Sequence, residues 1–258
     1  MNDGTQAKTE NCIERLRTLR CCVIIPTYNN AGTLASVIDE ALEYCSDIIV
    51  VNDGCTDGTA QIISSFGERI RSLTQERNQG KGVALQCGMA YAQRLGFRYA
   101  ITMDSDGQHY PSDIPKFVDA IEQNPGTLLV GARDLNADGM PGKNTFANRF
   151  SNFWFRLETG VRLEDTQSGF RAYPLDKISL GSHLLTGGYE FELEMLVFTA
   201  WKGVPVKNIP VRVYYPPEGE RVSHFRPFRD FTKISILNTL LVLYCLFWRW
   251  PANFFRKL

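Results

Sequence analysis

An α/β fold with a mostly parallel sheet and helices on both faces follows from three features of the sequence. Apolar runs of strand length alternate with helical patterns from residue 21 onward. The runs carry few polar interruptions, as strands covered on both faces do. The 258 residues reach the upper edge of what one hydrophobic core supports, which suits one large domain with an appendage rather than two domains. The expected division is a mobile N-terminal tail over 1–19, a main domain over 20–220 and a basic, hydrophobic helical tail over 221–258.

Each element has its own signal. Cys21 to Ile25 reads as a strand stopped by Pro26, and Thr33 to Tyr44 as a helix with Leu34, Val37, Ile38, Ala41 and Leu42 on one stripe. Ile48 to Val51 is a second strand, Thr59 to Phe66 a short helix and Ile70 to Thr74 a third strand. Gly82 to Leu95 is helical, Tyr99 to Met103 is the next strand, and Pro111 opens a helix reaching Glu122. Leu128 to Gly131 returns to the sheet. The glycine- and proline-bearing run from Ala132 to Lys143 has the length of a lid. An aromatic-rich helix (Phe146 to Leu157), a polar loop ending in Ser168-Gly169-Phe170-Arg171, a helix near Tyr189 to Trp201 and strands around Val204 to Tyr215 complete the domain.

Composition excludes several classes. With 44% hydrophobic and 22% charged residues the chain is neither disordered nor fibrous, and its formal net charge of zero lacks the footprint of a nucleic-acid binder. The balance hides an asymmetry, because the segment from Arg221 to Leu258 carries +6 and the preceding residues −6. Seven cysteines, none in C-x-x-C spacing, fit a reduced cytoplasmic setting. Met1 to Glu10 is polar and unlike a secretory signal.

In an open α/β sheet, ligands sit beyond the carboxyl ends of the strands. Those ends are polar and acidic here: Pro26-Thr27-Tyr28-Asn29, Asn52-Asp53-Gly54-Cys55-Thr56-Asp57-Gly58 and Asp104-Ser105-Asp106-Gly107-Gln108-His109. Asp104 and Asp106, two residues apart where the chain turns, can both reach one hard cation, Mg²⁺ or Mn²⁺, whose remaining ligands would be waters and substrate phosphates. An isolated D-x-D is also compatible with a solvated turn. Asp53 suits hydrogen bonding to a ribose or base edge. Lys81, between glycines at a helix start, suits a phosphate or an acidic partner, although Gln75 excludes a Walker A loop.

Together these motifs, with Asn78-Gln79-Gly80-Lys81-Gly82, resemble the family 2 glycosyltransferases in order and spacing. Gly131-Ala132-Arg133 and Asp165-Thr166-Gln167-Ser168-Gly169-Phe170-Arg171 further resemble the polyprenyl-phosphate sugar transferases of the dolichyl-phosphate mannose synthase type. The resemblance implies a GT-A fold, a nucleotide-sugar donor, a divalent metal and inversion at the anomeric carbon. By position, Pro26, Tyr28, Asn30 and Asp53 would hold the nucleoside, while Asp104, Asp106 and Gln108 would hold metal and diphosphate. Asn30 stands where many relatives have Glu and Asn52 where many have Asp, so uridine and guanosine donors both stay open.

Transfer builds negative charge on the leaving group, for which Arg133, Arg149 and Arg171 are the candidate cations. A phosphate acceptor is already anionic and needs no base, whereas a lipid hydroxyl does, and Asp165 and Glu190 are then the carboxylates to consider. Arg149, Arg221, His224 and Arg226 are candidates for holding an acceptor phosphate. Arg226, Arg229 and Lys233 share one helical face just before the uncharged run Ile234 to Trp248. That run gives roughly 22 Å of helix, short of the ~30 Å hydrocarbon core, so an in-plane or re-entrant helix at a lipid surface fits better than a span. A core or dimer helix is the other use of such a run. The expected protein is a peripheral transferase at the cytoplasmic membrane face, taking a nucleotide sugar and a lipid acceptor; a non-catalytic nucleotide-sugar-binding module and a nucleotidyltransferase are the rivals.

Overall fold

A computed structural model describes residues 3–133, 142–180, 186–215 and 227–249. Its centre is one seven-stranded sheet in the order β3-β2-β1-β4-β6-β5-β7. The strands are β1 (Cys21–Thr27), β2 (Ile48–Asn52), β3 (Arg71–Thr74), β4 (Tyr99–Thr102), β5 (Leu128–Arg133), β6 (Arg171–Pro174) and β7 (Val206–Val211). All pairings are parallel except those of β6, which runs antiparallel to both β4 and β5. β1, β2 and β4 are buried along their whole length, which accounts for their unbroken apolar sequences.

Helices cover both faces. On one side lie α1 (Asp3–Leu19), α2 (Leu34–Leu42), α3 (Thr59–Ser65) and α5 (Ile114–Gln123), packed around Val23, Ile25, Ile48, Val50 and Phe117. On the other lie α4 (Lys81–Arg94), α6 (Gly142–Thr159), α7 (Phe191–Trp201) and α8 (Pro227–Tyr244), around Ile24, Ile49, Val51, Phe155 and Phe191. The stripe expected on α2 is the buried one: Leu34, Val37, Ile38 and Ala41.

The structure departs from the sequence reading in three places. The supposed N-terminal tail is helical from Asp3, and Cys12 and Leu16 enter the core while Arg15 bridges Asp119 and Glu122 of α5 at 2.6 and 2.7 Å. Strand β6 falls where the sequence suggested the end of a loop. The segment expected to be a separate tail is partly core: Leu237, Leu241 and Cys245 of α8 and the turn after it are buried on the body. Among the described residues no helix is long and apolar enough to cross a membrane. The proposed lid lies mostly outside the described residues, as do Arg221, His224 and Arg226. All seven cysteines are unpaired.

Candidate functional site

The carboxyl ends of β1, β2 and β4 open into one cleft of about 810 Å³. Pro26, Tyr28, Asn30, Asp53, Lys81, Asp104, Asp106 and Glu190 all line it. The loops between them are tied by side-chain hydrogen bonds to backbone and to one another. The Asn52 side chain accepts from the Cys55 N–H at 2.8 Å, and Asn30 Nδ2 donates to Ser105 Oγ at 2.7 Å. The Asp53 carboxylate, almost fully buried, accepts the N–H groups of Gln79 and Gly80 at 2.8 and 2.9 Å, locking the β2 turn to the start of α4. Burial pushes the Asp53 carboxyl up despite these two bonds, so Asp53 acts first as a brace for the loop that faces the ligand space.

Asp104 and Asp106 follow β4 and differ in environment. The Lys81 ammonium sits 2.7 Å from Asp104 and 2.8 Å from Glu192. Burial opposes ionisation of Asp104, but this ammonium prevails and holds it below the usual carboxylate range. Lys81 is likewise raised, burial being outweighed by its two carboxylate partners. Asp106 has the Gln108 N–H as a donor at 3.0 Å, yet burial, then the Asp104 charge, push it up to about 6. The side chain of Gln108 does not line the cleft. Gly169 passes beneath the pair so closely that a Cβ there would stand 2.6 Å from Asp104 Oδ2 and 2.8 Å from Lys81 Nζ. Phe170 stacks on His109, whose Nδ1 accepts the Asp104 N–H at 3.4 Å. Burial drives the His109 imidazole down to about 4, so it is neutral and a structural acceptor.

The opposite wall comes from Gly187 to Glu190 and the first turns of α8, through Asp230 and Lys233. It meets α4 by close backbone approach: the Val83 N–H donates to the Gly187 carbonyl at 3.1 Å, and a Cβ on Gly82 would lie 2.5 Å from Phe191 Cβ. Glu190 is buried against this wall with one oxygen 3.5 Å from Lys233 Nζ and the other unpartnered within the described residues.

Two residues expected at the reacting groups are absent from the lining of this cleft. The Arg171 guanidinium is fully buried and donates to the carbonyls of Ser168, Thr166 and Glu192 at 2.7, 2.9 and 2.6 Å, which makes it a clamp on the loop below Asp104. Asp165 is likewise engaged within the protein. It is fully buried and accepts from Arg133 Nε at 2.6 Å, Asn148 Nδ2 at 2.6 Å and the N–H groups of Gln167 and Ser168. Arg133 holds it below the usual carboxylate range against the effect of burial. Neither Arg133 nor Asp165 lines the cleft, and Arg149 is exposed away from it.

The family model described as "Glycosyl transferase family 2" matches residues 22–173, more than half of the chain. This chain is a family 2 glycosyltransferase. It is 28% identical over 206 residues to a polyprenol monophosphomannose synthase of Mycolicibacterium smegmatis, covering 75% of this chain and 77% of that one. It is 29% identical over 213 residues to a UDP-N-acetylglucosamine–dolichyl-phosphate N-acetylglucosaminyltransferase of Methanococcus voltae, covering 75% and 85%. In fold it resembles glucosyl-3-phosphoglycerate synthase of Mycobacterium tuberculosis, solved with Mn²⁺, UDP-glucose and phosphoglyceric acid. The TM-score is 0.64 at 21% identity, over 91% of this chain and 82% of that one.

The family 2 match ends at β6, so the wall built by Gly187, Glu190, Asp230 and Lys233 lies beyond it. Sequence reasoning missed Glu192, the second partner of Lys81, and the cleft-facing positions of Asp230 and Lys233. A weak signal existed for Glu192 in the run Gly188-Tyr189-Glu190-Phe191-Glu192, which holds two acids at a helix start. Nothing local marks which residues of α8 turn toward β4.

Proposed function

We propose that this transferase moves a sugar from a nucleotide-sugar donor onto a polyprenyl phosphate, with inversion, at a membrane surface. The observation that carries this reading is the convergence of Asp104, Asp106 and the Asp53-braced loop on one cleft large enough for a nucleoside diphosphate sugar. The residues fit a divalent cation. Two oxygen ligands project from one strand end, and the raised Asp106 marks a place where added positive charge is favourable. Among the described residues no cluster of three or more His, Cys, Asp or Glu surrounds it, so substrate phosphates and water would complete the shell. Asp104 and Asp106 would hold Mg²⁺ or Mn²⁺, which supplies charge to the departing diphosphate. The M. tuberculosis synthase of similar fold was solved in complex with Mn²⁺ and UDP-glucose, in line with this assignment.

The chain's own groups set the reaction geometry. Tyr28, Pro26 and Asn30 flank the nucleoside side of the cleft. Lys81 neutralises Asp104 and Glu192, which would otherwise repel an incoming diphosphate. An oxygen of the acceptor phosphate attacks the anomeric carbon from the side opposite the diphosphate. The bond from that carbon to the diphosphate oxygen breaks, and a nucleoside diphosphate leaves. No proton has to be removed from a phosphate that is already anionic. The names of the polyprenol- and dolichyl-phosphate relatives support this acceptor class. The exposed apolar side chains of α8, with the basic residues near them, support peripheral attachment at the cytoplasmic face.

A second reading, transfer to a lipid hydroxyl, is favoured by Glu190, whose unpartnered oxygen in the cleft wall is placed to accept a proton. A panel of UDP- and GDP-sugars with polyprenyl phosphate and either cation, read by mass analysis, tests both. The expected products are a glycosylated lipid phosphate and a nucleoside diphosphate. Release of pyrophosphate, or donor binding without turnover, contradicts the proposal. Glu190→Gln keeps the phosphate reaction and abolishes a hydroxyl one.

A further inference from the structure

Resting on the lipid-phosphate reading above, we infer that Lys233 binds the acceptor phosphate and that the exposed apolar stripe of α8 carries the attached chain into the cleft. Five carboxylates line the described cleft, against two ammonium groups. Lys81 is held between Asp104 and Glu192, at 2.7 and 2.8 Å. Lys233, on the facing wall, lies 3.5 Å from a Glu190 oxygen, a longer contact than either of those made by Lys81, and its side chain is 43% exposed. A second anion entering so acidic a space needs a cation of its own, and Lys233 is the more exposed of the two lining ammonium groups, 43% against 15% for Lys81.

The helix supplies the rest of the recognition. Ile236, Leu240 and Leu243 follow Lys233 at i+3, i+7 and i+10 within α8, so they form one exposed stripe along its flank, and Phe247 in the turn after α8 is exposed as well. Leu237 and Leu241, at i+4 and i+8, flank Lys233 on its other edge and form the buried seam, which Cys245 continues after the helix. Side chains lean toward a helix N-terminus, so Lys233 inclines toward the Asp230 end that lines the cleft while the stripe runs away from it for roughly 15 Å to Leu243. A cation at the cleft end of an apolar track matches an anionic head on a long hydrocarbon chain.

The test uses the full chain in detergent micelles, with geranyl phosphate and a long polyprenyl phosphate as acceptors. Lys233→Gln should raise the acceptor KM roughly tenfold or more for both, leave the donor KM within about twofold, and be largely rescued by Lys233→Arg. An unchanged acceptor KM, or an equal rise in donor KM, overturns the assignment. The double variant Ile236→Ser, Leu240→Ser should raise KM for the long acceptor and not for geranyl phosphate; equal effects on both overturn the track. If the wild-type chain glycosylates a lipid hydroxyl and neither phosphate, the proposed function itself has failed and this inference falls with it. A wild type active on phosphates with an indifferent Lys233→Gln fails the inference only.

Discussion

The two walls of the cleft are built in different ways. The wall at the ends of β1, β2 and β4 is braced by backbone N–H groups donated to Asp53, Asp57, Asn52 and Asp106, so its polar side chains are fixed by loops a few residues long. The facing wall, from Gly187 to Glu190 and along α8, meets the first through Gly82, Val83 and the Lys81–Glu192 ion pair, and rests on packing among α6, α7 and α8. The first is the wall to which the proposed function assigns the donor. The second, outside the span of the family match, is where acceptor choice has room to vary.

The largest expected effect lies behind the braced wall. Asp165→Ala removes a fully buried carboxylate that pairs with the half-buried Arg133 and accepts from Asn148 and two backbone N–H groups, and should cost about 3 kcal/mol of stability, measured by urea denaturation. A loss below ~1 kcal/mol would show that this ion pair does not hold the end of β5. Asp106→Asn should leave stability nearly intact and lower transfer by roughly 10²–10³-fold at saturating donor, which a steady-state assay with Mn²⁺ measures. The junction between the walls can be broken separately. Gly82→Ala places a Cβ against Phe191 and the Gly187 backbone, so stability should fall by about 1–3 kcal/mol and acceptor KM should rise more than donor KM.

The second wall carries its own pH signature. Glu158 of α6 is buried beside α7 and the turn after α8, and its carbonyl accepts from Trp201 Nε1 at 2.9 Å. Its carboxyl oxygens have no partner within the described residues, and burial pushes the group up to about 8. Because the folded value is raised, the neutral form favours folding. The contribution is complete below the ordinary value near 4.5 and is lost as pH rises through about 8. Unfolding free energy should therefore fall with a slope approaching 1.4 kcal/mol per pH unit in that window from this group. Glu158→Gln should flatten the slope, and an unaltered pH profile would contradict the assignment. The smallest stability effect belongs to the exposed end of this wall: Phe247→Ser should shift stability by less than about 0.5 kcal/mol while reducing sedimentation with anionic liposomes.

The sequence made the first wall legible because its chemistry is local. A buried strand announces itself as an apolar run, and the residues just after it are the ones that face a ligand. Asp53, Asp104 and Asp106 follow from that rule, and the cleft gathers all three. The surroundings of Arg171 and Asp165 were not legible, because a charge in a loop motif reads the same whether it faces solvent or is consumed by carbonyls and an ion pair. Strand β6 escaped notice because Arg171–Pro174 is four residues long and opens on an arginine. Helix α1 was hidden by its polarity, although Cys12, Leu16 and Leu19 recur at helical spacing past the point where the polar run ends. The α8 wall was invisible for a different reason, since the rotation of a helix about its axis is decided by partners distant in sequence.

The central claim is that Asp104 and Asp106 grip one divalent cation facing the diphosphate of an activated sugar. Crystals soaked with Mn²⁺ and a nucleotide sugar test it through the anomalous signal of the metal. A peak roughly 2.0–2.3 Å from oxygens of both carboxylates and bridging to the diphosphate is the predicted result. A donor seated in the cleft with both carboxylates turned away and no metal between them would contradict it.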